Sequence, residues 1–191
     1  MKHREEILQA IPAASPDEAF FFHTYSEWLD KYTELGNPVC ELKYLAGPRQ
    51  ELFASLGIDE ASILLWFEEI RKLNQYGRAG LHYLVALAGL GLEEGLRVRP
   101  ELDLLAGAVA DALEERLQLN GQLTALPEAF ARYIDWERMA SDWLVTGKLI
   151  VFHFEEMEWV VFREETGKRE KASGGADWKP DDPDTERLGG T

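Results

Sequence analysis

The chain has four histidines, His3, His23, His82 and His153. No two stand three or four residues apart and no HExxH run occurs, so no helical face offers a ligand pair and no metal site is expected. The single cysteine, Cys40, has no histidine or basic cluster beside it in the sequence. It reads as a small core residue rather than a nucleophile, and alone it excludes both a disulfide framework and a cysteine-rich zinc site. Gly89-Leu90-Gly91 with Gly95 looks superficially like a nucleotide loop. It follows a helical pattern instead of a strand and has the wrong spacing, so helix packing and a C-terminal stop account for it. Neither GxxxxGK[ST] nor GxSxG occurs. What remains is carboxylate chemistry. Glu93-Glu94, Glu114-Glu115 and Glu155-Glu156 could do acid–base work if one member of a pair were buried with a raised pKa. Neighbouring glutamates on a polar helix face stay solvated and ionised, so catalysis is the weaker reading, and no cofactor is implied.

The carboxylates matter more as a group. Asp and Glu total 35 against 20 Lys and Arg, for a net charge of −15. The imbalance is local: residues 101–162 hold 12 acids and 4 bases, whereas residues 1–100 hold 15 and 10, and residues 163–191 hold 8 and 6. Such a surface argues against direct binding of nucleic acid, which needs a basic footprint. Acids three or four apart on a helix stand about 5–6 Å from each other, close to the phosphate spacing along one DNA strand. A dimer would carry twice the chain's −15, comparable to roughly fifteen base pairs of duplex. Charge alone permits a DNA mimic without singling one out, because any one of these glutamates also serves as an ordinary solvated residue.

The elements that must position these charges point to an α+β, mostly helical fold. The chain is 46% hydrophobic, enough for a core. Neither a signal-length apolar run at the start nor an 18-residue apolar stretch occurs, so a cytoplasmic protein with no membrane partner is expected. A small N-terminal α+β portion is expected over 1–58: a short helix from Glu5 to Ile11, a strand over Ala19–Tyr25, a helix over Ser26–Leu35, a strand over Val39–Leu45 and a helix over Gln50–Leu56. A central helical domain follows over 59–121. In it Asp59 caps a helix to Tyr76 ended by Gly77, a buried helix covers Gly80–Leu92, and a third begins at Pro100 with Leu102, Leu105, Val109, Leu113 and Leu117 inward. Residues 122–164 form a C-terminal domain. There Pro127 opens a helix through Phe130 and Tyr133, Asp135 caps a second over Trp136–Leu144, and a hairpin spans Lys148–Phe154 and Trp159–Arg163. Residues 165–191 (Gly, Pro and charge) read as a flexible tail.

The segment LPEAFARYIDWERMASDWLVTGKLIVFHFEEMEWVVF, Leu126 to Phe162, resembles the C-terminal domain of the ArdA-type antirestriction proteins. The matching positions are Leu126, Pro127, Glu128, Tyr133, Ile134, Asp135, Trp136, Glu137, Ala140 and Asp142. Leu102–Gly121 is similar to the acidic helices preceding that stretch in the family, and LQAIPAASPDEAFFFHTYSEW is more weakly similar to an N-terminal stretch. Ser141 stands where the family commonly has Arg, Trp143 where it has Leu, and the family's opening strand pattern has no counterpart before Lys2. The N-terminal portion is therefore expected to be reduced relative to the family.

The resemblance implies a non-enzymatic homodimer whose acidic surface imitates bent duplex DNA and fills the DNA groove of a type I restriction-modification methyltransferase core or a related defence complex. It makes Glu93, Glu94, Glu101, Asp103, Asp111, Glu114, Glu115, Asp135, Glu137, Asp142, Glu155, Glu156 and Glu158 the candidate mimic carboxylates. Asp135 serves equally as a helix cap. Family dimers join through the C-terminal domain, which makes Tyr133, Trp136, Met139 and Trp143 self-association candidates; each could equally fill the domain's own core. The rival reading is an acidic helical adaptor that binds a protein without DNA mimicry.

Overall fold

The computed structural model describes residues 6–123, 127, 130 and 132–163. Part of the helix expected from Pro127, and the whole of the tail expected over 165–191, lie outside those residues. The chain is α+β, with two antiparallel three-stranded sheets among its helices.

The first sheet has order β2-β1-β3, from β1 (Ile7–Pro12), β2 (Phe20–Phe22) and β3 (Cys40–Ala46). A short helix was the expectation for β1, and the structure corrects it. Leu8, Ala10 and Pro12 are buried while the residues between them are half-exposed, a period of two. The apolar residues that look like one helical face are too few for a helix to stand alone. As a central strand the segment satisfies its backbone on both sides, with Leu8 opposite Phe22 and Tyr44. Helix α1 (Tyr25–Glu34) packs against β2, and Thr24 caps the helix through its side-chain oxygen. Helix α2 (Gln50–Leu56) ends at Gly57, whose φ of +61° suits glycine.

The single helix expected to Tyr76 is broken in two. Asp59 accepts from the Ser62 amide and Ser62 Oγ accepts from the Asp59 amide, and α3 spans Ile63–Glu68. A short 3-10 turn follows. Asn74 then caps a new helix, α4 (Gln75–His82), by accepting from the Gly77 amide at 2.8 Å. Gly77 therefore lies inside a helix and does not end one. The competing side-chain acceptor of Asn74 restarts the chain where apolar periodicity runs on unbroken. α4 continues as a π turn over Tyr83–Leu87 and stops at Gly89, with φ +75°. The helix expected to reach Leu92 therefore ends early, and a separate α5 (Leu92–Val98) follows.

The helix expected from Pro100 begins only at Val109, with Leu113 and Leu117 inward as expected. Pro100 sits in a 3-10 turn, and Leu104–Ala106 form strand β4. Gly107, at φ +123°, separates β4 from α6 (Val109–Leu119). Helix α7 (Trp136–Val145) leads to β5 (Leu149–Phe154) and β6 (Met157–Phe162). Sheet order is β4-β6-β5, with Val160 opposite both Leu105 and Val151. Glu155 and Glu156 form the two-residue turn, at φ +48° and +62°.

This second sheet divides the interior. Phe152, Phe154, Trp159 and Val161 face a core that includes Leu8, Phe22, Phe53, Trp66 and Leu81. The alternate residues Leu149, Val160 and Phe162 face Ala112, Leu113, Leu117 and Ala140 of α6 and α7. Both faces of β6 are covered, so its run from Trp159 to Phe162 is apolar without alternation.

Candidate acidic interface

Helices α6 and α7 pack side by side over the second sheet. Ala112, Leu113 and Leu117 point inward from α6, leaving Asp111 and Glu115 exposed and Glu114 half-exposed, where it accepts from Gln118 Nε2 at 3.1 Å. On α7, Ala140 is buried and Glu137 and Asp142 are exposed. Asp135 is the helix cap, accepting from the Arg138 amide at 3.0 Å. The amphipathic spacing of each helix thus sends its apolar residues to one core and its carboxylates to solvent.

Arg116 turns to Asp103, as an ion pair, and lies 5.7 Å from the Phe162 ring. Lys148 lies over the Trp143 ring at 5.5 Å and Arg132 over Tyr133 at 5.1 Å. Asp111, Glu115, Glu137 and Asp142 make no ion pair among the described residues.

The thirteen sequence candidates separate into groups. Asp103 is neutralised by Arg116. Glu155 takes Arg78 in a two-pronged pair, at 2.7 Å from Nε and 2.6 Å from Nη2. Its side chain is only 15% exposed. Neither partner was legible, since Arg78 and Glu155 lie 77 residues apart. Glu158 stands 3.5 Å from His153 on the same hairpin, and Glu156 is exposed at its turn. Glu93 and Glu94 are exposed in the first turn of α5, with Glu94 3.6 Å from Arg97, and Glu101 is exposed in the following 3-10 turn. The structure brings together those on α6 and α7 and leaves Glu93, Glu94 and Glu101 on separate elements.

Of the self-association candidates, Trp136, Met139 and Trp143 are half-buried against the α6–α7 core. Tyr133 is 75% exposed. The remaining chemistry-bearing groups are individually placed. Cys40 is buried, and burial, reinforced by the Glu60 carboxylate, pushes its thiol pKa up. His82 stacks on Phe154 at 4.6 Å; burial lowers its pKa, with Glu51 opposing. No group of three or more His, Cys, Asp or Glu could hold a metal among the described residues, and no helix there is long and apolar enough to cross a membrane.

No protein-family model matches the chain, and no curated protein and no solved structure matches it. Fold and surface together define a class: an α+β chain in which two helices lie as a thin layer on a sheet and present unpaired carboxylates outward.

Proposed function

We propose that the chain is an ArdA-like DNA mimic, a non-enzymatic homodimeric inhibitor that acts in the bacterial cytosol. Its target is the DNA groove of a type I restriction-modification methyltransferase core. The observation that supports this most is the outer face of α6 and α7. Asp111, Glu115, Glu137 and Asp142 stand there without ion-pair partners among the described residues, while Arg116 turns inward to Asp103.

A groove lined by Lys and Arg attracts such a face over long range, giving fast, steered encounter. Binding then releases the counterions held by both surfaces, as DNA itself would. The test is displacement of labelled duplex from a purified methyltransferase core. The expected result is competition that weakens by about tenfold or more between roughly 50 and 200 mM salt. Absence of displacement by the folded protein at low salt overturns the reading.

A second reading rests on a different observation. Leu119, Tyr133 and Val145, at or near the ends of α6 and α7, are large apolar residues exposed by more than two thirds, Val145 by 86%. An adaptor that docks a protein through such exposed apolar side chains would bind with little dependence on salt, which separates it from the mimic.

A further inference from the structure

We infer that the cleft between α4 and the 99–104 segment is a binding site for a small organic phosphate, independent of the acidic face. The cleft has a volume of about 460 Å³ and is lined by Lys72, Asn74, Tyr76, Arg99, Leu102 and Leu104, among others. That volume lies in the range of small-molecule sites.

The charge pattern is the first argument. Among the described bases, Lys31, Lys43, Arg49, Arg78, Arg97 and Arg116 each have a carboxylate partner. Arg71, Lys72, Arg99, Arg132, Arg138 and Arg163 have none among the described residues, and what marks the cleft is that two such cations, Lys72 and Arg99, line it together. Arg99 goes further, since its Nη1 is buried and has no hydrogen-bond partner among the described residues. The fold leaves this guanidinium short of acceptors, and an anion at its cleft-facing N–H groups offsets the charge.

The second argument is shape. Gly80 lets the Arg99 stem and Leu102 lie directly on α4: a Cβ at that position would stand 3.3 Å from Arg99 Cγ and 3.4 Å from Leu102 Cδ2. Glycine is a poorer helix former than alanine, so the close approach is maintained at a cost in helix stability. Asn74 uses Oδ1 to cap α4, which leaves its amide NH2 as a further donor at the rim.

The chemical class follows from these groups. Two cations and an amide donor match a phosphate monoester, which carries about −1.5 to −2 charge at neutral pH, better than a single carboxylate. Leu102, Leu104, Pro100 and the half-exposed Tyr76 ring form an apolar wall that a bare ion would not use. Tyr76 is held edge-on against Trp159 at 5.1 Å, so its ring is a fixed surface.

Calorimetric titration of the full chain with adenosine monophosphate, adenosine and inorganic phosphate at physiological salt tests this. Saturable binding of the nucleotide, at least about tenfold tighter than either fragment, is expected. Arg99→Met keeps the packed stem and removes the charge; it should weaken the nucleotide by roughly tenfold or more, with Lys72→Glu acting in the same direction. Lys72 is exposed, so that variant folds whatever Arg99→Met does. No saturable binding by the folded wild type, equal affinity for inorganic phosphate, or unchanged affinity in Lys72→Glu would each overturn the proposal.

Discussion

The β4–β6–β5 sheet meets two unlike neighbours. On one face Trp159 and Phe154 enter a core shared with Leu8, Phe22, Phe53, Trp66 and Leu81, drawn from both sheets and most of the helices. On the other, Leu149, Val160 and Phe162 meet a layer one helix thick, with Leu113 as its only large residue buried completely on α6. Charge divides along the same line. In the body, Glu6 meets Arg49 and Glu155 meets Arg78; on the outer layer, Asp111, Glu115, Glu137 and Asp142 meet no cation among the described residues. The contrast separates two jobs. A deep core and matched charges hold the fold, and a thin layer anchored to it tolerates like-charge crowding that an isolated helix pair would not.

The largest effects should therefore come from the inner face. Trp159 is fully buried and donates Nε1–H to the Phe154 carbonyl at 3.2 Å. Trp159→Ala is expected to cost about 3–5 kcal/mol in denaturant unfolding. Leu113→Ala on the outer face removes fewer contacts and should cost roughly 2–4 kcal/mol. If Leu113→Ala proved the costlier change, the division between a structural face and a display face would fail.

The Arg78–Glu155 pair ties the hairpin turn to α4, while Glu51 accepts from the Glu155 amide at 3.0 Å. Both side chains are under one fifth exposed. Arg78→Ala leaves a half-buried carboxylate without its partner and should cost roughly 1–3 kcal/mol. The solvated Lys31–Glu34 pair provides the contrast, and Lys31→Ala should change the unfolding midpoint by little.

The pH response sharpens the same comparison, because the half-buried His82 imidazole lies on the inner side, stacked on Phe154. Burial lowers the His82 pKa, so the unfolded chain binds a proton at a pH where the folded chain does not. Stability contributed by neutral His82 is thus full above the ordinary imidazole value of about 6.5 and declines as pH falls below it, until the lowered folded pKa is reached. Unfolding midpoints measured between pH 7 and pH 5 should fall for wild type and fall less for His82→Phe.

Legibility in the sequence followed the range of the interactions involved. Elements fixed by local signals were readable: α2 over Gln50–Leu56, α7 with its Asp135 cap, and the hairpin around Glu155 and Glu156. Elements fixed by distant partners were not. β1 became a strand because Phe22 and Tyr44 lie on either side of Leu8, and β4 because β6 arrives more than fifty residues later. The break before α4 turned on one side-chain oxygen, that of Asn74. The acidic helices were legible as charge, but which carboxylates remain free was not. Asp103 and Glu155 look like their neighbours in sequence, and only the fold sets Arg116 and Arg78 against them.

The smallest effect on stability should coincide with the largest effect on the proposed activity. Asp111 and Glu115 lie on the outward face of α6, four residues apart, as like charges that repel. Replacing them together as Asp111→Asn and Glu115→Gln removes that repulsion and touches no core residue, so the unfolding midpoint should hold or rise slightly. Displacement of duplex DNA from a methyltransferase core should nevertheless weaken by several-fold, and its salt dependence should become shallower because fewer counterions are released. The matched control is Asp103→Asn, which breaks the pair with Arg116 and should reverse the pattern: lower stability with displacement little changed. A double variant that displaces DNA as well as wild type would show that the α6 face is acidic for solubility alone. The Asp103 control then tells whether charge on this layer matters to anything beyond the fold.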